Sequence, residues 1–347
     1  MSFPILSLGN DRRPPGAGRQ SSTSERNAPG VIPLAWLFGA LSFSLAAVIM
    51  MMVRFRMAVE LDPRLGVLVV VAASGAVVTR FRFHDPQSEQ QRVWRDAAEY
   101  YGLFIGICLV GALAAYPVSA ISTGFADASL QRVDDVLRFD WLAWYRFVAD
   151  HPTIQWSGRV VYESIYLSPA VLLGYFAWAG RKAEARLFIL SFWAAATITL
   201  VVFAFVPAKG PLALLWRGPL PYVPASALYQ AELIPGLRSH ILHRINLSEL
   251  QGPVSFPSFH AASAVLYMCA AWPVRPLRWP IVIVNLAMLL ATPVEGTHYL
   301  IDIIAGAVVA LAAMAITRAV TSHYARRNSG TVRLERHGRS VASPGRQ

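Results

Sequence analysis

Eight apolar stretches divide this chain, at residues 31–53, 65–79, 100–121, 160–179, 187–206, 260–272, 277–292 and 298–320. Few folds accept such runs. In hydrocarbon every backbone N–H and C=O must find its partner within the segment, so an apolar run of about 20 residues becomes a helix that spans the bilayer. Three stretches (65–79, 260–272 and 277–292) are shorter than that. They need flanking residues to lengthen them or neighbouring helices to shield their ends. Composition agrees with spans: only 15% of residues are charged, against about 25% in an ordinary soluble domain. The expected fold is all-α, a polytopic membrane helix bundle of about eight spans. A soluble enzyme and a disordered chain are both excluded. Cys108 and Cys269 each lie inside an apolar run, which gives neither a disulfide framework nor a cysteine zinc site. No internal repeat is visible, so the inverted-repeat signature of many transporters is missing.

The net charge of +11 suits the positive-inside rule better than nucleic acid, and no nucleic-acid partner is expected. With the N-terminus inside and the spans alternating, 20 of the 31 lysines and arginines fall in inside segments. The outside segments hold 12 of the 20 acids. Both termini are therefore expected in the cytoplasm. Residues 1–30, rich in Gly, Pro and Ser and carrying four arginines, read as a disordered cytoplasmic tail without a cleaved signal peptide. Residues 321–347 read as a basic cytoplasmic tail that anchors to anionic lipid. Arginine outnumbers lysine 29 to 2. That bias suggests a GC-rich, bacterial genome, and hence a multi-pass protein of the bacterial inner membrane.

Two outside connections are long. Within residues 122–159, the stretch 130–148 carries apolar residues at helical spacing. It predicts an amphipathic helix that lies on the membrane surface or packs over the bundle. Residues 207–257 are rich in Pro and Gly and carry Lys209, Arg217, Arg238 and Arg244. Long connections of this kind are often functional.

The chemistry-bearing residues collect where these connections re-enter the membrane. Ser258 and His260 open one span; His298 and Asp302 open the span two later. Both spans start on the same side, so the two histidines lie at similar depth. His298 and Asp302 are four apart, which on a helix places them on one face. A carboxylate there accepts one imidazole N–H, fixes the tautomer and raises the basicity of the other nitrogen. Such a histidine suits attack on phosphorus, with His260 as a separate general acid. A lone histidine at a span end is more often interfacial. A carboxylate inside a span is costly and usually functional. Two histidines and a carboxylate also match a facial metal triad. No HExxH element accompanies them and the nearby basic groups suit an anion, so no metal or other cofactor is expected. Lys209, Ser258, Arg217 and Arg244 are the candidates for holding a phosphate.

Pro257-Ser258-x-His260 opening one span, and His298-x-x-x-Asp302 opening a span two later, resemble the type-2 phosphatidic acid phosphatase (PAP2) superfamily. The resemblance covers roughly residues 100–320. It implies a six-span catalytic core at 99–320 with outer loops 122–159 and 207–257, preceded by two additional spans at 31–98. It also implies an extracytoplasmic active site and a phosphohistidine mechanism: His298 as nucleophile, Asp302 as its orienting partner, His260 as acid. The chain departs from the family pattern in three places. Seven residues rather than six separate Lys209 from Arg217, and Gly218-Pro219 follows; Thr292 stands where the third motif has arginine; Phe259 stands where the second has glycine. These departures resemble the inositol phosphorylceramide synthase and sphingolipid head-group transferase branch. The stretch Asp127-Ala128-Ser129-Leu130, with Asp134 and Phe139-Asp140-Trp141, is similar to bacterial members of that branch. The expected function is cleavage of a phospholipid or lipid phosphate phosphoester, with transfer to a lipid or polyol hydroxyl. Transfer to water, a simple lipid phosphate phosphatase, is the alternative. A membrane transporter or scaffold is the alternative of another class. Phe256, Phe259 and Trp216 are candidates for excluding water from the transfer.

Overall fold

A computed structural model describes residues 31–341; the side chains of 65, 68 and 327–341 lie outside what is described, as do the expected tail 1–30 and residues 342–347. The chain folds as an all-α polytopic helix bundle. Its elements are α1 (Leu34–Arg54), β1 (Ala58–Glu60), α2 (Pro63–Arg82), α3 (Glu89–Ile121), α4 (Asp127–Val136), α5 (Trp141–Ala149), α6 (Pro152–Glu163), α7 (Leu167–Trp178), α8 (Lys182–Phe205), α9 (Pro211–Leu215), α10 (Tyr229–Arg238), β2 (Arg244–Asn246), α11 (Phe259–Ala271), α12 (Arg275–Glu295) and α13 (Leu300–Val341). A single turn of 3-10 helix at Ser164–Tyr166 joins α6 to α7.

Each of the eight apolar stretches is helical over most of its length. Six helices among the described residues are long and apolar enough to cross a membrane: Leu34–Arg54, Glu89–Ile121, Pro152–Trp178, Lys182–Phe205, Arg275–Glu295 and Leu300–Arg326. The 277–292 stretch reaches span length because its flanks continue the helix to Arg275 and Glu295. Helix α11 stays short: its 13 residues rise only about 20 Å. It survives by being enclosed. It packs against α8, α12 and α13, and small side chains at Ala261, Ala262 and Ala264, all buried, let those neighbours approach closely. The closest approach is at Gly306 of α13, where an added Cβ would lie 2.2 Å from the Ser258 carbonyl oxygen. Only glycine fits there, and it sets α11 beside the start of α13.

The 130–148 stretch is two helices rather than one. Arg138 takes a positive φ of 57°, and Asp140 restarts the chain by accepting a hydrogen bond from the Ala143 N–H. Helix α5 then packs over the bundle. Trp141 and Tyr145 are fully buried beside Leu212 and Val294, and the Trp141 indole donates to the Pro293 carbonyl at 2.8 Å. Residues 244–246 pair in parallel with 58–60, a short ladder that the sequence pattern does not announce.

The end of the bundle opposite the histidines is held by charge. Glu99 of α3 accepts two bonds from Arg186 of α8, at 2.6 and 2.8 Å, and Arg80 of α2 lies 3.4 Å from its other oxygen. Arg186 also donates to the Ile32 carbonyl. Farther in, Ser191 and Thr317 share a buried hydrogen bond, and Asn285 donates to Ser168. Each pair satisfies polar groups that the apolar interior would otherwise penalise.

Candidate active site

Helix α11 begins at Ser258, whose hydroxyl caps it by accepting from the Ala261 N–H. The Ser258 N–H in turn donates to the main-chain oxygen of Asp302 at 3.0 Å. His260 thus sits in the first turn of α11 with that turn anchored to α13. Its ring lies on Tyr162 of α6, with centroids 4.1 Å apart and planes 13° from parallel. The Tyr162 hydroxyl is 3.2 Å from His260 Nδ1.

His298 is not on a helix. It occupies the turn between α12 and α13, after Thr297 at a positive φ of 49°. Asp302, in the first turn of α13, reaches back out of the helix. Its Oδ2 lies 3.1 Å from His298 Nδ1 and also accepts from the Tyr299 N–H at 3.1 Å and the Ser255 hydroxyl at 3.2 Å. The carboxylate therefore does two things, capping the helix and orienting the ring. Both residues are buried, and Asp302 Oδ1 has no hydrogen-bond partner. Gly296 makes the ring's position possible, since a Cβ there would meet His298 Cδ2 at 2.5 Å. The hydrogen bond from the Ser258 N–H to the Asp302 carbonyl joins the two helix starts that carry the histidines. The structure therefore brings together His260, His298 and Asp302 from two separate helix starts.

Two aspartates of α4 hold this turn from outside. Asp127 accepts from the Lys209 and Gly210 N–H groups at 2.9–3.0 Å and from the Tyr299 hydroxyl at 3.1 Å. Asp134 accepts from the Leu300 and Ile301 N–H groups at 2.8 and 3.0 Å, capping α13 from a different helix. Burial pushes the Asp134 carboxyl up, and the two N–H donors pull it back only in part. Sequence reasoning noticed this segment through its resemblance alone and gave the two aspartates no task. Local pattern carries no trace of it, because the bonds span 82 to 172 residues of chain.

Lys209 arrives through the same clamp. Gly210, at φ 92°, presses so closely on the Thr297 carbonyl that a Cβ would sit 2.6 Å from it. The Lys209 ammonium lies 4.4 Å from the centre of the Phe125 ring, and the Arg238 guanidinium lies 4.4 Å from the same centre. Arg238 is fixed there by Ser122 and the Gly124 carbonyl. Arg217 and Arg244 go elsewhere. Arg217 is exposed and donates to the carbonyls of Ala213 and Trp216. Arg244 pairs with Glu60 across the strand ladder at 2.7 Å. Ser258 caps α11 with its hydroxyl oxygen, which leaves the O–H free to donate.

Thr292 and Glu295, in the segment that replaces the third motif, are both buried. Thr292 donates to the Met288 carbonyl. Glu295 accepts from the Tyr222 hydroxyl and the Ala225 N–H and lies 4.0 Å from Arg159. Of the three bulky residues expected to exclude water, Phe256 packs on Tyr299 and Leu130 beside the motif. Phe259 turns into the core against Phe192, and Trp216 rests on Tyr145. Among the described residues, no group of three or more His, Cys, Asp or Glu side chains is arranged to hold a metal ion.

Comparison with known proteins adds one finding. A model of the PAP2 superfamily matches residues 128–316, which takes in α4 after its first residue, the Lys209 loop and both histidine motifs. Neither a curated protein nor a solved structure matches the chain. More than half of the sequence falls within the match, and the chain belongs to the PAP2 superfamily.

Proposed function

We propose that this protein is an integral membrane lipid phosphotransferase that works through a phosphohistidine, transferring a phosphoryl-bearing head group from a phospholipid or lipid phosphate to a lipid or polyol hydroxyl. The observation that carries the reading is the buried His298–Asp302 pair, at 3.1 Å, beside a second histidine that has no carboxylate partner among the described residues. One histidine is oriented for attack and the other is left to move a proton.

The chemistry follows from those placements. Asp302 accepts a hydrogen bond from His298 Nδ1–H, which leaves the Nε2 lone pair free. Nε2 attacks phosphorus, the P–N bond forms and the ester P–O bond breaks. His260 gives its proton to the departing alkoxide. The acceptor oxygen then attacks the same phosphorus, His260 takes its proton, and the P–N bond breaks. Lys209 supplies positive charge for the phosphate, with Arg238 beside it on Phe125 in place of Arg217 or Arg244. Ser258 adds a hydroxyl at the α11 cap. The charge bias along the chain supports an extracytoplasmic site with both termini cytoplasmic, the basic tail beyond residue 320 among them. The catalytic core is 99–320, and α1 and α2 are an addition to it.

Superfamily membership supports phosphatase-type chemistry on a membrane lipid. The missing third-motif arginine and the α4 aspartates, which the resemblance ties to the transferase branch, favour an alcohol acceptor over water. Product analysis by mass spectrometry tests this. Purified protein is given lipid phosphates, phosphoinositides and alcohol acceptors, with His298→Ala as control. A new head-group-exchanged lipid that depends on His298 supports transfer, and its mass identifies the acceptor. Free phosphate alone makes the protein a lipid phosphatase. Products unchanged in His298→Ala refute the reading.

A further inference from the structure

The two histidines have different partners. His298 is paired with a carboxylate. His260 has Tyr162 as the only side chain within hydrogen-bond distance of its ring among the described residues. Tyr162 comes from α6, 98 residues earlier in the chain, and no motif marks it.

The difference suits the two tasks. A nucleophile gains from a carboxylate, because the carboxylate stabilises the positive charge that grows on the ring as Nε2 bonds to phosphorus. A general acid does not gain in the same way. A carboxylate beside it would stabilise the imidazolium and make it a poorer proton donor. The acid still needs its ring held. A phenol does that without adding charge. Its oxygen lies 3.2 Å from Nδ1, so Tyr162 lies on the Nδ1 side of the ring and Nε2 is left to trade a proton with the ester oxygen. Its ring face, 4.1 Å away and nearly parallel, fixes the imidazole plane.

We propose that Tyr162 is the positioning residue of the acid–base histidine: its ring face and hydroxyl hold the His260 ring with Nε2 turned to the leaving oxygen. This rests on the phosphohistidine reading above. The other titratable groups around the pair are His298, in the turn before α13, Glu295 at the end of α12, and Tyr166 one turn along from Tyr162. None of these makes a hydrogen bond to the His260 ring among the described contacts. His260 enters the first half-reaction as the imidazolium, gives its Nε2 proton to the departing alkoxide and is left neutral. In the second half-reaction Nε2 takes a proton from the acceptor hydroxyl, which restores the imidazolium.

Leaving-group dependence tests this. An alkyl ester needs its oxygen protonated as it departs, whereas para-nitrophenolate leaves unaided. The full chain in phosphatidylcholine nanodiscs is assayed on dodecyl phosphate and on para-nitrophenyl phosphate. Tyr162→Phe is expected to slow the alkyl ester about 10-fold and the aryl ester less than about 2-fold. Tyr162→Leu, which also removes the ring face, is expected to slow the alkyl ester about 100-fold. Equal losses on both esters, or no loss on either, would overturn the role of Tyr162 and leave the functional reading standing. Turnover of both esters that is the same in His298→Ala refutes the functional reading, and the role of Tyr162 with it.

Discussion

Replacing Asp302 by asparagine removes one negative charge from a buried site and changes almost nothing in shape. The structure allows the amide only two orientations. In the first, its oxygen takes the place of Oδ2 and still accepts from His298 Nδ1, the Tyr299 N–H and the Ser255 hydroxyl. The NH2 then occupies the place of Oδ1, which has no partner. In the second, the NH2 faces three donors and forces the His298 proton onto Nε2, the nitrogen that must attack. The first orientation strands a buried donor, which costs about 1–3 kcal/mol of stability. It also leaves a neutral acceptor opposite the charge that develops on His298 during attack. In a serine-protease triad the same substitution lowers turnover about 10⁴-fold. Here the expected loss is about 10³–10⁴-fold, or about 4–5.5 kcal/mol at about 1.4 kcal/mol per decade. The assay is turnover of dodecyl phosphate by the purified protein, with thermal unfolding followed on the same sample. Turnover within about 10-fold of the unaltered enzyme, in a folded protein, would refute the assignment of Asp302 as the partner of a nucleophile.

Three further outcomes are expected. Gly306→Ala places a Cβ against the Ser258 carbonyl and pushes α11 off α13; turnover should fall at least about 10-fold, because misplacing reacting groups by about 1 Å can cost about 100-fold, while the protein still inserts, and an active variant would mean that this contact does not set the His260 position. Asp127→Ala strands the Lys209 and Gly210 N–H groups and the Tyr299 hydroxyl together. At about 1 kcal/mol or more for each stranded group it should destabilise the fold by about 3 kcal/mol in chemical denaturation, with a smaller change arguing that water replaces the carboxylate. Arg186→Ala leaves Glu99 buried and short of its main partner at the far end of the bundle. It should cost about 3–5 kcal/mol in the same assay yet leave turnover per folded molecule unchanged; a turnover defect in folded protein would show that the two ends are coupled.

The histidine motifs were legible in the sequence because their residues are near one another along the chain. His298 and Asp302 are four apart, and Ser258 caps a helix that starts one residue later. What could not be read is the conformation that joins them. Four-residue spacing implied one helix face, but the ring sits in a turn and Asp302 reaches back to it. The basic groups of the long loop show the same limit. Spacing from Lys209 points to Arg217, while the arginine that shares the Phe125 ring with Lys209 is Arg238. Loop residues carry no periodicity that would tell three arginines apart.

By itself the sequence determined the solvent, the class of fold and the reagents. Apolar runs near span length leave a chain no choice but helix, since backbone polar groups have no other partners in hydrocarbon. Two histidines and a carboxylate at span starts supply the candidate reagents. Only the tertiary structure decided how those reagents are held. Asp127 and Asp134 fasten the His298 turn, Gly306 fixes the depth of α11, and Tyr162 lies on His260. Each of these is a contact between elements distant in the chain. Such contacts depend on packing geometry in three dimensions, and local propensity does not encode them.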